Sequence, residues 1–316
     1  MSINNTACYI FTSSQHKTPP TLTGVDIAFV GVSVDDRGNA TTSALKSAAS
    51  KLSTLKFIAS NQTTYLDGKV VNRAKLTSYI TGKKRILLDT TTLGLGEILQ
   101  VLLAINRANI ASVEFLYAEP QEYTRTTTTN MVDRQLRDFS LTQNCTFCSM
   151  QGFAHEYQSN MRAAHVFFLG FEPARILNAL EQRNDFNHDV YRCHVILGVP
   201  AFQAGWESNS IRPHLSVLDQ MEIREHSITY CQANSIREAY MTLWDLYRQL
   251  GDERGCFFVS PLGTKPHAIG AALFLIETKG SDIPTSLYYD HPERVQKRSS
   301  EVATWHLVRV QLNSQN

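Results

Sequence analysis

One strand–turn–helix–strand segment occurs twice in this chain at a fixed spacing, and few folds accommodate such a pattern. Ile86-Leu87-Leu88-Asp89 reads as a buried parallel strand. A Thr/Gly turn (Thr90-Thr91-Thr92-Leu93-Gly94) follows, then a helix from about Glu97 to Arg107. A second strand, Val113–Tyr117, is closed by Ala118-Glu119-Pro120. The second copy runs from the strand Cys256–Ser260 through the turn Pro261-Leu262-Gly263-Thr264-Lys265-Pro266 to a helix over about His267–Glu277. It ends in the strand Thr285–Tyr289 and the closing residues Asp290-His291-Pro292. Asp89 falls on Ser260 and Leu116 on Leu287, both 171 positions apart, so no gap is needed.

The openings of the two halves match as well. Ile27–Gly31 parallels Val166–Gly170 at an offset of 139, and at that offset Leu55–Ile58 falls on His194–Leu197. Apolar runs separated by helix-length segments are what a mostly parallel sheet covered by helices requires. The expected fold is α/β, with two Rossmann-like parallel-sheet halves related by internal duplication. Residues 1–123 form the first half, 124–160 a connector and insertion, and 161–316 the second half with a C-terminal strand, Trp305–Val310. Thr124–Asn130, polar and β-branched, reads as an exposed connector. Ile236, Ala239, Tyr240, Leu243, Leu246, Tyr247 and Leu250 have helical spacing, stopped by Gly251.

At 316 residues, with 43% apolar and 19% charged residues, the chain has material for a buried core. Six cysteines over this length are too sparse for a disulfide scaffold and read as reduced thiols. The N-terminal residues lack signal-peptide character, and no run approaches the roughly 20 apolar residues of a membrane helix. A soluble, cytoplasmic protein without membrane partners is expected. A formal net charge of +1 argues against a surface given over to nucleic acid and leaves room for a local basic patch.

In an open parallel sheet, ligands bind at the carboxyl ends of strands, where turns enter helix N-termini that favour anions. Gly263-Thr264-Lys265-Pro266 fits that position. Gly263 permits close approach of backbone to ligand, Thr264 offers a hydroxyl, Lys265 a cation, and Pro266 presets the first helical turn. Gly270 thins the following helix for close packing. A Walker A loop and a G-x-G-x-x-G opening are both absent.

Strand-Ser-x-x-Gly-Thr-Lys-Pro-helix resembles the Gly-Thr-Lys signature of CRISPR-associated Rossmann fold (CARF) domains. The doubled arrangement is similar to SAVED domains, in which two CARF-like units are fused. The resemblance covers the topology of about residues 25–123 and 165–295, with its specific motif at 260–266. It implies a sensor of nucleotide or oligonucleotide messengers in prokaryotic antiviral defence, acting with a separate protein effector. By that resemblance Thr264 and Lys265 touch a ligand phosphate or ribose. The turns Gly31-Val32-Ser33 and Gly170-Phe171-Glu172 form the opposite walls. The first half has Asp89–Gly94 where the family has a Lys-bearing turn.

Two alternatives stand beside the sensor. A nucleotide-processing enzyme, of nucleosidase or ring-nuclease type, would use acids at strand ends: Asp89, Glu172 and the Asp290-His291 corner, with Glu119 nearby. Singly, each has a simpler role, Asp89 as a cap and Asp290-His291-Pro292 as a turn. The other alternative is a non-catalytic scaffold working through protein contacts. Tyr117 and Tyr288 lie at paired strand ends, where a tyrosine either stacks a base or packs in the core. Cys145-Thr146-Phe147-Cys148 has no second pair at zinc-site spacing, and neither metal nor cofactor is expected. Arg294, Lys297 and Arg298 form a modest basic cluster.

Overall fold

The computed structural model describes residues 9–125, 139–145, 147–156, 161–181, 191–220, 227–250 and 255–312. The chain is α/β and divides into two units, residues 1–123 with 296–316, and residues 124–295.

The first unit opens with β1 (Tyr9–His16), then β2 (Ile27–Val30), α1 (Asp36–Ala48) and β3 (Leu52–Ile58). Asp35 caps α1, its carboxylate accepting from the Gly38 N–H at 3.1 Å. A hairpin, β4 (Thr63–Leu66) and β5 (Lys69–Val71), turns through Asp67-Gly68 with both φ angles positive (49° and 78°), the Asp-Gly chemistry of a tight hairpin. Then come α2 (Arg73–Ile80), β6 (Ile86–Asp89), α3 (Leu95–Arg107) and β7 (Ser112–Tyr123). Strands β3-β2-β6-β7 lie side by side and parallel. Every residue of β2 and β6 is buried, which is why both appear in the sequence as unbroken apolar runs.

The second unit holds β8 (Thr142–Gln143), β9 (Ala163–Leu169), α4 (Pro173–Glu181), β10 (Tyr191–Gly198), α5 (Glu207–Gln220) and β11 (Ile228–Cys231). It continues with α6 (Ile236–Leu250), β12 (Cys256–Pro261), α7 (Lys265–Glu277), β13 (Thr285–Leu287) and β14 (Glu293–Arg294). The sheet order is β11-β10-β9-β12-β13, all parallel. Ile176 and Ala179 of α4 and Val217 and Leu218 of α5 pack with Phe167, Leu169, Val195 and Leu197 on one face. On the other face Tyr247 of α6 and Phe274 of α7 meet Phe257 edge-on or tilted, at 5.4 and 5.8 Å. Helix α7 is buried from Pro266 to Ile276, and its Gly270 lets α6 come close: a Cβ there would lie 2.8 Å from the Ile236 carbonyl oxygen. Gly251, the expected stop for α6, lies outside the described residues.

The strands matched in the sequence occupy matching places: β3-β2-β6-β7 in one sheet, β10-β9-β12-β13 in the other. The flanks differ. The first sheet is extended by antiparallel strands, the second by the parallel β11.

Two boundaries need correction. The last strand, β15 (Ser299–Leu312), does not close the second half; it inserts between β1 and β7 of the first sheet, antiparallel to both. Alternation identifies a strand without naming its partner, and here the partners lie at the other end of the chain. Residues 124–160 are likewise no mere connector, since their described part is bonded into the second unit. Phe147 joins its core, Cys148 N–H bonds the Tyr289 carbonyl at 3.0 Å, and β8 pairs with β14. Thr126–Asn130 lie outside the described residues. No described helix is long and apolar enough to cross a membrane.

Candidate ligand-binding site

In the second sheet the chain leaves β9 toward β10 on one side and leaves β12 toward β13 on the other. The β9/β12 boundary is therefore the topological switch point, where open α/β sheets bind ligands. Gly170 and Gly263 stand at those two strand ends. A Cβ on Gly170 would lie 2.8 Å from the Leu262 carbonyl oxygen, and one on Gly263 would lie 3.1 Å from the Leu169 carbonyl oxygen. Both glycines are required for the two turns to touch.

The loops after β10 and β11 close on the same place. Thr264 Oγ1 donates to the Ala233 carbonyl at 2.6 Å, and Ala233 N–H donates to the Pro200 carbonyl at 3.0 Å. Thr264 also caps α7, accepting from the His267 N–H at 3.4 Å. Lys265 opens the helix, half-buried, and Pro266 has no N–H to offer. The turn thus offers the Gly263–Lys265 backbone, with a lysine at the first helical position, rather than a row of helix N–H donors.

His267 is fully buried beneath this turn, 0% exposed. Its Nε2 donates to the Gln232 carbonyl at 3.0 Å, which fixes the neutral tautomer and leaves Nδ1 as an acceptor. Nδ1 has no hydrogen-bond partner among the described residues and faces Gly263, whose Cβ, if present, would lie 2.8 Å away. Burial holds this ring down at about 4.

The acidic candidates are engaged elsewhere. Asp290 is 0% exposed and grips Arg175 of α4 with both oxygens, at 2.5 and 2.7 Å; Arg175 also donates to the Leu262 carbonyl at 2.8 Å. Glu172 accepts from the backbone N–H groups of Leu141 and Thr142 at 2.8 and 3.0 Å, tying β8 to the turn after β9. His291 sits at φ 37°, 5.1 Å from the Tyr289 ring, and burial lowers it to about 4. Asp89, 0% exposed, accepts from Thr41 Oγ1 at 2.8 Å, Thr92 Oγ1 at 2.7 Å and Thr91 N–H at 3.1 Å, and burial raises its pKa. At the matching position, Ser260 lies in a closed chain. Tyr191 donates to His165 Nδ1, His165 Nε2 donates to Ser260 Oγ at 2.7 Å, and Ser260 donates to the Tyr288 carbonyl at 2.5 Å. His165 and Ser260 are both 0% exposed, so this Ser–His pair ties strands together rather than facing a substrate.

The first unit fills its equivalent turn with its own side chains. Thr92 stands where Gly263 does, accepting from the Gly31 N–H at 2.9 Å; a Cβ on Gly31 would lie 2.2 Å from the Thr92 carbonyl oxygen. Glu97, which aligns with Ala268, brings a carboxylate to the start of α3 and accepts from the Phe57 N–H at 2.8 Å. Ser33 turns back to Asn39 Oδ1 at 2.8 Å. Of the six expected ligand residues, Gly170, Gly263, Thr264 and Lys265 come together, while Gly31 and Ser33 belong to the first unit.

Sequence reasoning missed three groups. Arg175 and, in the first unit, Arg37 look like ordinary helix residues. Arg37, 1% exposed, bonds Asp35 at 2.8 Å, Ser299 at 2.9 Å and the Ala118 carbonyl at 3.0 Å. His267 gave no signal beyond its place after a Pro in the first helical turn. Phe139 and Trp206, aromatic neighbours of Phe171 in the Gly170 turn, lie in separate segments that no local pattern joins to it. Of the basic cluster, Lys297 and Arg298 fall in the first unit, and Arg298 lies 4.0 Å from Asp35. Cys145 is pushed up to about 11 by burial and the nearby Asp290, and Cys148 is raised by burial; neither is poised as a thiolate. Among the described residues, no group of three or more His, Cys, Asp or Glu side chains is arranged to hold a metal ion.

No protein-family model matches the chain, and no curated protein matches it.

Proposed function

We propose that this chain is a non-catalytic binding module whose second unit takes a phosphate-bearing nucleotide or oligonucleotide, and that occupancy is passed to a separate protein effector. The observation that carries the reading is the meeting of four strand-end loops on Gly263-Thr264-Lys265 at the switch point, with the Lys265 cation at the start of α7. The resemblance of that turn to the Gly-Thr-Lys signature of CARF domains supports a sensor or regulatory subunit of prokaryotic antiviral defence, in the cytoplasm. Origin by internal duplication belongs to the same reading. It is supported by the ungapped sequence match and the common order of the four central strands. Asp89, Glu172 and Asp290 are committed to structural roles, which favours binding over turnover.

Thermal unfolding against a panel of mono-, di- and cyclic oligonucleotides tests this. A ligand that binds only the native state stabilises it by mass action, about 2.7 kcal/mol at a hundredfold excess over Kd. The expected result is a concentration-dependent rise in Tm with one nucleotide class, reduced or lost in Lys265→Ala. A shift that is unchanged in Lys265→Ala would remove the turn from the site. No shift with any nucleotide would favour the scaffold alternative.

A further inference from the structure

The phosphate end of the site is set by Lys265, and the aromatic residues beside it indicate what else a ligand carries. Phe171 directly follows Gly170 at the end of β9. Its ring lies 4.9 Å from Phe139 and 6.1 Å from Trp206, nearly perpendicular to the indole at 75°. Trp206 ends the loop that leaves β10, next to β9 in the sheet. That loop is pinned from within. The Glu207 carboxylate accepts from the Ala201 and Gly205 N–H groups at 3.0 and 2.8 Å, and Gly205 turns the chain at φ +89°. The Arg125 guanidinium stands 5.3 Å from the Phe139 ring centroid, adding positive charge to this side.

Exposure separates these rings from the core. Phe171, Phe202 and Trp206 are half-buried, whereas Trp244 and Trp305 are 0% and 3% exposed. A fixed loop thus holds flat aromatic surface in partial contact with water, at the strand-end edge that also carries Gly170. Such surface stacks a nucleobase with little regard to its identity, because every base has a π-face. A sugar phosphate has no such face to offer.

We propose that Trp206 stacks a planar base whose phosphate lies at Lys265, with Phe171 completing the wall nearly at right angles to the indole, so that the site selects nucleotides over phosphorylated sugars. This rests on the reading of the Gly263–Lys265 turn given above.

Titration of the full chain with AMP and with ribose 5-phosphate, followed by calorimetry and tryptophan emission, tests it. Trp206 is the one half-buried tryptophan of three and should dominate any emission change. AMP is expected to bind at least tenfold more tightly than ribose 5-phosphate, with altered emission, a preference within the usual range for one stacked base. Trp206→Ala should bring AMP down to the level of ribose 5-phosphate and leave ribose 5-phosphate unaffected. Trp206→Phe should keep most of the preference and lose the emission change. Equal binding of the two ligands by the unaltered chain, or an AMP preference that survives Trp206→Ala, would overturn the stacking wall while leaving the phosphate site standing. Binding of neither ligand, or binding of both untouched by Lys265→Ala, would overturn the phosphate site and the wall together.

Discussion

Asp290→Ala is expected to cost the second unit about 3–5 kcal/mol, enough to unfold many domains of ordinary stability. The carboxylate is wholly buried and holds Arg175 through two charge-assisted bonds. Removing it strands a guanidinium that is itself only 9% exposed, leaving the Leu262 carbonyl as its remaining acceptor among the contacts described above. An unpaired buried charge costs far more than the pair is worth, so replacing both partners with apolar residues, Arg175→Met with Asp290→Leu, should recover most of the loss. Urea denaturation of Arg175→Met, Asp290→Leu and the double variant forms the cycle. A single-variant loss below about 1 kcal/mol would show that the pair is solvated and that Arg175 does not clamp the Leu262–Gly263 turn.

Acid should be the second severe stress. His214 and His267 are buried, at 1% and 0% exposure, and burial lowers both to about 4; His291 is lowered to about 4 as well. An unfolded histidine takes up its proton near 6.5, whereas these folded ones wait until about 4. Between those values the unfolded chain binds more protons, so stability rises with pH across the window. The contribution is fully present above about 6.5 and is lost as pH falls toward 4. For His214 and His267 it amounts to about 3 kcal/mol each. Asp35, lowered chiefly by Arg37 and Ser299 against the larger opposing effect of its burial, adds a further loss at lower pH. Asp89, raised by burial, works in the opposite sense once it protonates. Urea midpoints at pH 7 and pH 4.5 should therefore differ sharply, and less so in a His214→Gln, His267→Gln chain. Equal midpoints at the two pH values would contradict this.

The parts of the fold legible in the sequence are those set by local pattern. Fully buried parallel strands are short apolar runs, and Ile86–Asp89 lies where the spacing predicts; the α6 stripe from Ile236 to Leu250 is equally plain. The Gly263 turn was visible because a glycine directly after an apolar strand has few other uses. What escaped depends on contacts distant in sequence. Nothing local in Trp305–Val310 says that His306 meets Glu119 at 2.7 Å and brings β15 into the first sheet. Residues 139–156 lack periodicity because backbone bonds to Glu172 and Tyr289 hold them, together with scattered buried anchors such as Phe147, Met150 and Phe153. Arg37 and Arg175 each look solvated in a helical pattern, and only the fold brings them to backbone carbonyls 81 and 87 positions away. Strand-end position alone made Asp89 and Asp290 candidates for an enzyme; their burial and hydrogen bonds to Thr41, Thr91, Thr92 and Arg175 fit the cap and turn roles instead.

The first unit's turn is filled by Thr92 and Glu97, while the second's offers Gly263, Thr264 and Lys265. Calorimetric titration with the nucleotide giving the largest thermal shift therefore tests the central claim most directly. The expected result is no more than one ligand per chain, with Lys265→Ala weakening it about tenfold or more. Two equivalent ligands per chain, or an affinity indifferent to Lys265, would contradict a single phosphate-binding site at the start of α7.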